Sequence, residues 1–438
     1  MKEQGRQLRQ SIGLFQAVMY GVGLILGAGI YVLIGDIAGV AGNAMWISFI
    51  VAAVIAAFTG LSYAELSSAF PKSAAEYVFV KNAFRNNLLA FVTGWLIIFV
   101  AVVSASAVAI GFSGYLLNFI PQADRTLSAA LLIAGLSAIN FVGIRESVWM
   151  NTIFTIVELL GLVIIIALAL FFGFSANYFE MPPAILDSSM AVGAILGAAG
   201  LIFFAYFGFE NLANIAEETK NPKKTIPAAL ILSIIITTIV YILVAVSAVS
   251  LVGWESLSST DAPLSLAAEK AFGKTGVVTL SVIALFATTN TVLMLLVSGS
   301  RIIFGMASDR ALPHSLSCVH KRTRTPYKAI VAVMVVAITI VAVSAGSIEA
   351  VAKVAVFGIF VVYTFVNLSL IWLRYKQPDL DRQFKSPIQI GKFPVLAGLG
   401  LATSVIMLTQ FDWMTAVFGS PAFLSAIVCF AVWRRSLK

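Results

Sequence analysis

Charge is scarce in this chain of 438 residues. Asp, Glu, Lys and Arg together make up 11% of the residues, whereas 60% of the residues are hydrophobic. A soluble domain has roughly a quarter of its residues charged, because its surface must be solvated. The shortage of charge therefore excludes a soluble protein of this size and predicts an integral membrane protein.

Histidine and cysteine are nearly absent, at two residues each. His314 and His320 flank Cys318 in one basic stretch, and we interpret these as solvated side chains rather than as a metal site. The sequence also contains no phosphate-binding loop, no H-E-x-x-H and no G-x-S-x-G motif. These absences argue against an enzyme and against a resident metal or cofactor.

Long apolar runs make up most of the chain. A window of about twenty residues, the length of a helix that crosses a bilayer, finds twelve apolar segments. Segments 1 to 12 span 12–38, 43–69, 86–119, 126–143, 148–174, 190–216, 227–251, 276–306, 328–345, 350–373, 393–410 and 414–433. Segments 3 and 8 exceed the length that a ~30 Å hydrocarbon core requires, so we expect them to be tilted. Short surface helices are also predicted, at 71–84 and 262–273.

The basic residues predict the orientation of these segments. If the N-terminus is cytoplasmic, the loops on that side collect nearly all 28 Lys and Arg residues, Arg301 included. The exceptions are Arg125, Lys270, Lys274 and Lys353. Because Lys and Arg concentrate in cytoplasmic loops, both ends, 1–11 and 434–438, are predicted to be cytoplasmic. The net charge of +8 is then a topology signal, and the expected partner is the lipid bilayer of the plasma membrane, not nucleic acid.

Two of the twelve segments are predicted to be interrupted near their middle. Segment 1 contains "GLILGAGIYVLIG" at 23–35, with five glycines between Gly21 and Gly35, and each glycine costs a helix interior roughly 1 kcal/mol. Segment 6 is apolar through Phe207, Gly208 and Phe209 and then meets the polar residues Glu210, Asn211 and Asn214. Interruptions in helices 1 and 6 are typical of transporters built from two inverted five-helix repeats. The predicted repeats are 12–174 and 190–373, with 393–433 peripheral.

A broken helix exposes backbone groups that lipid cannot satisfy, so each break must face protein, water or a ligand. At Gly27, Ala28 and Gly29 the outer half-helix begins, and its free N–H groups and positive dipole end suit a carboxylate. The carbonyls expected at the two breaks, which suit an ammonium group or a cation, are those of Gly23, Leu24, Ile25, Phe203, Phe204 and Phe207. Together the breaks match an α-amino acid. The alternative is that Gly23 and Gly27 only allow close helix packing.

Four stretches carry a family resemblance. They are "MYGVGLILGAGIYVLIG", "GLSYAELSSAFPKSAAEYVFVKNAF", "FFAYFGFENLANIAEETKNPKKTIP" and "GMASDRALP". In this order, from about residue 11 to residue 313, the chain resembles the amino acid-polyamine-organocation transporters, and within them the amino acid permeases related to cationic amino acid transporters. The resemblance implies an all-α LeuT-like fold and secondary, usually proton-linked, amino acid transport.

The resemblance also assigns residues. It places a carboxylate-binding motif on Gly27, Ala28 and Gly29, and an aromatic gate that closes over the substrate on Phe204. The ammonium-binding carbonyls fall on Ile25, Phe204 and Phe207. There are two departures, since "KSAAEY" stands where the family usually has a glycine pair, and Glu210 stands where close relatives often have Asp.

Glu158 is the clearest candidate for ion coupling. It lies about ten residues into segment 5, and a carboxylate inside the membrane is a functional candidate by default. Burial favours the protonated form of a carboxyl, so we predict that Glu158 binds and releases a proton near neutral pH. In some proton-coupled relatives a lysine occupies this region, between helices 1, 5 and 8. The polar patch of the family's ion site falls on Thr288, Thr289 and Asn290.

These side chains have alternative roles. The hydroxyls of segment 8 hydrogen-bond a protonated Glu158, or join it and the Gly23 carbonyl around Na⁺, or pair with it only structurally. Glu210 is a second candidate for proton coupling, although a role in stabilising the break is favoured. Glu65 is interpreted as a structural partner of nearby backbone or of Lys72.

The sequence therefore predicts a proton-coupled symporter of neutral amino acids. Phe203, Phe204 and Phe207 are large and apolar, and the predicted pocket offers little counter-charge for an ionic substrate side chain. The alternatives are an amino acid or polyamine exchanger, a Na⁺-coupled carrier, and an amino acid sensor that does not transport. A monomer and a homodimer are equally compatible with the sequence.

Overall fold

The structure, a computed structural model, describes residues 8–117, 119–185, 187–260, 263–343, 348–409 and 422–432. Its helices are α1 (Leu14–Ala41), α2 (Met45–Ala69), α3 (Ala75–Phe84), α4 (Asn87–Leu116), α5 (Arg125–Val142), α6 (Ile144–Phe172), α7 (Ser188–Tyr206), α8 (Asn211–Asn214), α9 (Pro222–Ser258), α10 (Pro263–Phe272), α11 (Lys274–Ser308), α12 (Tyr327–Val343), α13 (Ile348–Lys376), α14 (Val395–Leu408) and α15 (Ala422–Val432). Two short strands, β1 (Gln389–Ile390) and β2 (Phe393–Pro394), pair antiparallel before α14. The sequence analysis did not predict this hairpin.

The predicted apolar segments fall on observed helices. Eight helical stretches of the described chain are long and apolar enough to cross a membrane, and four shorter apolar helices accompany them. The chain is thus a multi-pass membrane protein. The count of twelve spans, the inverted repeat and the orientation stay predictions. Residues 1–7 and 433–438, which include most of the two predicted cytoplasmic ends, lie outside the described residues.

Both predicted interruptions are confirmed. In α1, Gly27 departs from helical geometry, with φ 15° and ψ −154°. The helix of segment 6 stops at Tyr206, passes through Phe207 and Gly208 in extended and positive-φ conformations, and resumes as the four-residue α8. Glycine allows both departures because it has no side chain to collide with the backbone.

Helix α9 differs most from its predicted bounds of 227–251. It has 37 residues, because it starts earlier, at Pro222, and continues beyond Gly253, whose φ of 77° bends it. Proline is favoured in the first turn of a helix, where its missing N–H has no partner to lose. The great lengths expected of segments 3 and 8 are confirmed, since α4 has 30 residues and α11 has 35.

The two short helices predicted at 71–84 and 262–273 are confirmed as α3 and α10, but six of the ten residues of α3 are buried and not at the surface. Helix α3 packs against α4 and α13, near the ends of α2 and α11. Helix α10 packs against α9 and α11 at the opposite end of the bundle. The end that carries α3 also carries residues 8–13, 309–326 and 377–394, and we call it the basic end.

Arg301 does not belong among the basic residues that were assigned to the cytoplasmic loops. It was predicted in a cytoplasmic loop, but it lies inside α11 and is fully buried. Its guanidinium Nε and Nη2 donate to the two carboxylate oxygens of Glu218 at 2.9 and 3.1 Å, and Nη1 donates to Asn140. A charge this deep is tolerated because it is paired and hydrogen-bonded.

Glu65 also has a different partner from the predicted Lys72. Its carboxylate accepts hydrogen bonds at 2.7 Å from Nε and Nη2 of Arg374, near the end of α13. Arg382 lies 3.2 Å away, and the backbone N–H of Ser386 donates at 2.8 Å. The backbone N–H and the cation that bind Glu65 both lie more than 300 positions away in the chain, so Glu65 has a structural role with partners that the sequence analysis did not name.

Candidate functional site

Helix α1 lies at the centre of the bundle, where it packs against α6, α7, α9 and α11. Its glycines allow this approach. A Cβ atom added to Gly27 would lie 2.6 Å from the hydroxyl of Thr291 in α11, and one added to Gly29 would lie 3.1 Å from Ala205 in α7. Both positions therefore leave little room for any side chain, and at Gly27 this is the close helix packing that the alternative interpretation of Gly23 and Gly27 expects.

The break between α7 and α8 is held by Glu210. Its Oε2 accepts hydrogen bonds from the backbone N–H of Gly208 at 3.0 Å and from the hydroxyl of Tyr363 at 2.7 Å. Its Oε1 accepts from Asn211 at 2.9 Å, and Asn211 also donates to the Gly208 carbonyl at 3.2 Å. These bonds satisfy backbone groups that the break frees, so the geometry supports the hinge-stabilising role of Glu210.

Tyr241 in α9 joins the two breaks, and the sequence analysis missed it. Its hydroxyl lies 2.5 Å from the carbonyl oxygen of Ile25 in α1 and 3.2 Å from that of Ala205 in α7. The predicted Ile25 carbonyl therefore already has one protein donor. A carbonyl oxygen has two lone pairs, so Ile25 retains the capacity to accept a second hydrogen bond.

The backbone carbonyl of Phe203 was predicted to be free at the break, and it is not. This carbonyl accepts the N–H of Phe207 at 3.2 Å, so it is not freed by the break. The ring of Phe203 is 2% exposed and stacks on Phe360 of α13, with ring centroids 4.8 Å apart. The prediction of a free carbonyl at Phe203 is wrong, because α7 keeps its helical hydrogen bonding as far as this residue. Phe207 itself is half-buried.

Two predicted site residues cannot be compared in full. The side chains of Ala28 and Phe204 lie outside the described part of the chain, so the gate assigned to Phe204 stays a prediction. The backbone of both residues is helical. The backbone carbonyl of Leu24 is described, and it would lie 3.2 Å from a Cβ atom added at Gly208. The two breaks are therefore adjacent in space.

A second polar group surrounds Glu158, which is fully buried in α6. The side-chain amide of Asn290 in α11 donates to Glu158 Oε1 at 3.1 Å and to the hydroxyl of Thr155 at 3.1 Å. A Cβ atom added to Gly23 in α1 would overlap the Thr155 hydroxyl and lie 2.9 Å from Asn151 Oδ1. We call these five residues, Gly23, Asn151, Thr155, Glu158 and Asn290, the Glu158 cluster.

Several buried atoms of this cluster lack a hydrogen-bond partner in the part of the chain that the structure describes. They are Oε2 of Glu158, Oδ1 and Nδ2 of Asn151, and Oδ1 of Asn290. An unsatisfied polar atom is costly inside a protein, where nearly all such groups are paired. The cluster thus has the capacity to take a proton or to surround a small hard cation with oxygen atoms.

Thr288 and Thr289 are placed differently from the prediction. Their hydroxyls donate to carbonyls one turn earlier in α11, Thr288 to Ala284 at 2.9 Å and Thr289 to Leu285 at 2.7 Å. The hydrogen bonds predicted from these hydroxyls to Glu158 are therefore absent from the described structure. Of the three residues predicted on α11, only Asn290 contacts Glu158 through a described hydrogen bond.

The residues missed on α6 carried a readable signal. Asn151, Thr155 and Glu158 are spaced four and three residues apart, which puts them on one face of a helix. No comparable signal marks Tyr241, because its role depends on how α9 is rotated against α1 and α7.

The comparisons with known proteins agree with the prediction that this chain is a transporter. The sequence matches the profile of a family described as "Amino acid permease" over residues 12–433. It is 30% identical over 432 residues to the branched-chain amino acid permease BcaP of Bacillus subtilis (strain 168), covering 94% of this chain and 90% of the relative. It is also 30% identical over 411 residues to the methylthioribose transporter of that organism, covering 88% and 86%.

A plant relative extends the range of named substrates. Cationic amino acid transporter 2, vacuolar, of Arabidopsis thaliana is 28% identical over 398 residues. The match covers 86% of this chain and 62% of the plant protein. These relatives are named as transporters and not as enzymes, but the substrates in their names differ.

Proposed function

Because the chain belongs to the amino acid permease family of the amino acid-polyamine-organocation superfamily, we propose that it is a proton-coupled symporter of neutral amino acids. The proposal includes alternating access in a LeuT-like fold of twelve spans with inverted repeats. It also includes a plasma-membrane location with both ends of the chain in the cytoplasm. The observation that supports this proposal most directly is that the interruption in α1 lies next to the break between α7 and α8.

The substrate carboxylate is proposed to bind where α1 resumes after Gly27. A restarting helix presents unpaired N–H groups and the positive end of its dipole, which stabilise an anion. The lack of side chains at Gly27 and Gly29 supports this role, because a ligand there can approach the backbone itself. The close packing of these glycines against α7 and α11 is compatible with the same role.

The substrate ammonium group is proposed to lie between the breaks, against the Ile25 carbonyl. Tyr241 supports this site as a positioning residue, since its hydroxyl holds the Ile25 and Ala205 carbonyls in fixed directions. Preorganised acceptors lose less entropy when a ligand binds. The carbonyls of Phe204 and Phe207 remain the expected partners from α7.

The Glu158 cluster is proposed to carry the coupling proton. No described Lys or Arg side chain forms an ion pair with Glu158, so burial disfavours its charged form. Gly23 brings the backbone of α1 against the cluster only one turn before Gly27. Protonation at Glu158 and substrate binding at Gly27 would then act on the same helix.

A neutral, apolar substrate is proposed for two reasons. The site lacks a described counter-charge other than Glu158, which is proposed to hold the coupling proton, and Glu210, whose two oxygen atoms already accept hydrogen bonds at the break. The branched-chain permease, which aligns with 94% of this chain, provides the second reason. The methylthioribose transporter is also 30% identical to this chain but is named for a different substrate, so the substrate of this chain must be measured.

Uptake of labelled amino acids into proteoliposomes tests the proposal. We expect accumulation of a neutral amino acid under an inward proton gradient. Glu158→Gln should abolish this accumulation and leave exchange of internal for external substrate measurable. Glu255→Gln, which changes an exposed carboxylate, should behave as the parent chain. Gradient-driven accumulation by the Glu158 variant would refute coupling at this residue, and ligand binding without any uptake would indicate a sensor.

Sodium coupling is the second candidate, favoured by the unpaired oxygen atoms of Glu158, Asn151 and Asn290. Oxygen ligands suit hard cations. If Na⁺ is the coupling ion, uptake in the absence of a proton gradient should rise with external Na⁺ and disappear when choline replaces it. Uptake that is indifferent to Na⁺ but follows the proton gradient would exclude this candidate.

A further inference from the structure

Glu76 is a buried carboxylate at the basic end that the proposed transport mechanism does not use. It lies in the first turn of α3 and is fully buried. The side-chain amide of Asn214 in α8 donates to its Oε1 at 3.3 Å and to its Oε2 at 3.1 Å, and the hydroxyl of Tyr63 in α2 donates to Oε1 at 3.2 Å. This one carboxyl therefore joins three helices.

The surroundings of Glu76 contain hydrogen-bond donors but no described cation. No Lys, Arg or His side chain of the described chain forms an ion pair with it. The titratable groups that act on it are Glu210 at the break, Tyr63 of α2 and Tyr363 of α13. A buried carboxyl without a cation favours its protonated form. The pKa of Glu76 is accordingly raised to about 7, chiefly by burial.

Helix α8, which Asn214 ends, is held in place by side chains. It has four residues and follows the break at Gly208, so it has few helical hydrogen bonds of its own. The side-chain oxygen of Asn214 accepts the N–H of Ala75 at 2.8 Å, which means that both polar atoms of this amide bond α3. At the start of α8, Asn211 accepts a hydrogen bond from Ser298 of α11. Segments held in this way open more easily than a long packed helix.

The stretch that follows α8 also binds the chain ahead of α1. The N–H of Lys220 donates to the carbonyl of Ile12 at 2.8 Å, and Thr219 and Ile12 form an isolated β-bridge. At the basic end, the chain leaving α8 and the chain entering α1 therefore form one unit. The bonds between Glu76 and Asn214 tie this unit to α3, so losing them would loosen the ends of both interrupted segments together.

We propose that Glu76 is a second proton-binding site, which holds the basic end closed while it is protonated and gives up its proton as that end opens. The inference rests on the proposed alternating access, in which the basic end opens to solvent. The Tyr63 hydroxyl accepts a hydrogen bond as readily as it donates one, so the protonated carboxyl keeps its partners. When α8 moves away, water solvates the carboxylate and its pKa returns toward the ordinary value of 4.5.

Opening of the basic end should therefore become easier as the pH rises from about 4.5 to about 7. In this window the closed form keeps the proton of Glu76 and the open form loses it, so a higher pH favours the open form. Above about pH 7 the carboxyl is ionised in both forms, and opening gains no more from a further rise.

Hydrogen–deuterium exchange of the full chain in nanodiscs, without substrate or gradient, tests this site. After correction for the intrinsic exchange rate, the protection of residues 209–219 should fall by about tenfold or more between about pH 5 and about pH 7.5. Glu76→Gln has a neutral side chain of nearly the same shape, so its protection should not change with pH. Asp379→Asn removes an exposed carboxylate at the same end and should behave as the wild type.

Tyr63→Phe provides a second variant that keeps the titrating carboxyl. It removes a donor that favours the charged form of Glu76, so the midpoint of the pH dependence should move to higher pH. A dependence that Glu76→Gln abolishes and that Tyr63→Phe moves upward supports the proposal.

Three outcomes overturn the proposal. One is wild-type protection that does not change with pH. Another is a pH dependence that Glu158→Gln abolishes and Glu76→Gln keeps, which would leave the coupling role proposed for Glu158 intact. The third is exchange at 209–219 that is no faster than at the buried residues 291–300 of α11, because the stretch would then open only by global unfolding. Uptake is not measured, so a failure of the proposed transport is detected separately in proteoliposomes.

Discussion

Gly23 occupies a position where the absence of a side chain has two consequences. The Thr155 hydroxyl, Asn290 Nδ2 and Asn151 Oδ1 all lie within 2.9 Å of the point where its Cβ would be. The glycine thus lets α1 touch the polar face of α6, and it brings the Glu158 cluster against the helix that contains Gly27. The proposed proton and substrate sites are neighbours for this reason.

Gly23→Ala is expected to disrupt this contact. The added methyl group would displace Thr155 and Asn290, so gradient-driven uptake should fall at least tenfold while the protein still inserts and folds. Proteoliposome uptake measures the effect. Gly135→Ala is the matched control, because that glycine lies in α5 and no neighbouring side chain or element of the described structure lies within 4 Å of the added Cβ. Full uptake by the Gly23 variant would contradict the proposed role of this contact.

Tyr241→Phe should weaken both stability and substrate binding. The change removes the single O–H donor that the Ile25 and Ala205 carbonyls share, and a buried hydrogen bond contributes about 1 kcal/mol. We expect the free energy of unfolding to fall by about 1 kcal/mol and ligand affinity to fall several-fold, as measured by thermal shift with and without substrate. Tyr206→Phe removes only a hydrogen bond to Thr238 and should leave ligand affinity unchanged.

At the level of secondary structure, the two interruptions were predictable because their cause is local. Glycine-rich sequence weakens α1 at Gly27, and the polar residues that begin at Glu210 end the apolar run of segment 6. The partners of the freed groups were not predictable from the same signal. Tyr241, Tyr363 and Asn211 reach the breaks only through the packing of α9, α13 and α8.

Helix α3 contributes a buried carboxylate at the basic end. Glu76 is fully buried and accepts hydrogen bonds from Asn214 at 3.1 Å and from the hydroxyl of Tyr63 at 3.2 Å. The pKa of Glu76 is raised from 4.5 to about 7, chiefly by burial and also by the nearby Glu210, against the opposing effect of its hydrogen bonds. The carboxyl links α3 to α2 and α8.

Stability should therefore fall as the pH rises from about 4.5 to about 7. In this window folded Glu76 keeps its proton while the unfolded chain loses it, and above pH 7 the loss is complete, at about 3 kcal/mol. Glu76→Gln should flatten this part of a pH series of melting temperatures. Glu269→Gln, at an exposed carboxylate, should retain the parent's slope. An unchanged slope in the Glu76 variant would show that another group titrates.

Across the whole molecule, Glu218 and Arg301 tie together parts of the chain that are far apart in sequence. The Glu218 carbonyl accepts the N–H groups of Ser11 and Ile12 at 2.9 and 3.1 Å, and its carboxylate pairs with Arg301. Arg301 in turn bonds Asn140 of α5. The N-terminal segment, the end of segment 6, α5 and α11 therefore meet at one buried point.

Glu218→Gln should destabilise the protein by about 3–5 kcal/mol, because it leaves the Arg301 charge buried without a counter-ion. Thermal or denaturant unfolding in detergent measures the loss. Asp381→Asn breaks the exposed pair with Lys223, in which the aspartate side chain is 73% exposed, and should cost less than about 1 kcal/mol. Similar losses of unfolding free energy in the two variants would show that the buried Glu218–Arg301 pair stabilises the protein no more than the exposed pair does.

Properties that depend on neighbours along the chain could be derived from the sequence. Hydropathy over about twenty residues decides which stretches enter a membrane, and glycine decides where a helix is weak. This is why the apolar segments, both interruptions and the two short helices α3 and α10 agree with the structure. Family membership followed from motifs of the same local kind.

Contacts between distant residues depended on how the helices rotate against one another. That rotation turned Phe203 toward Phe360, directed Thr288 and Thr289 to their own helix, and buried Arg301 beside Glu218. Each of these outcomes depends on whether side chains of different helices meet. An apolar sequence is nearly uniform around each helix, so it does not show which face of the helix meets a neighbour. Only the packed bundle therefore specifies that Asn290 reaches Glu158 and that Tyr241 spans the two breaks.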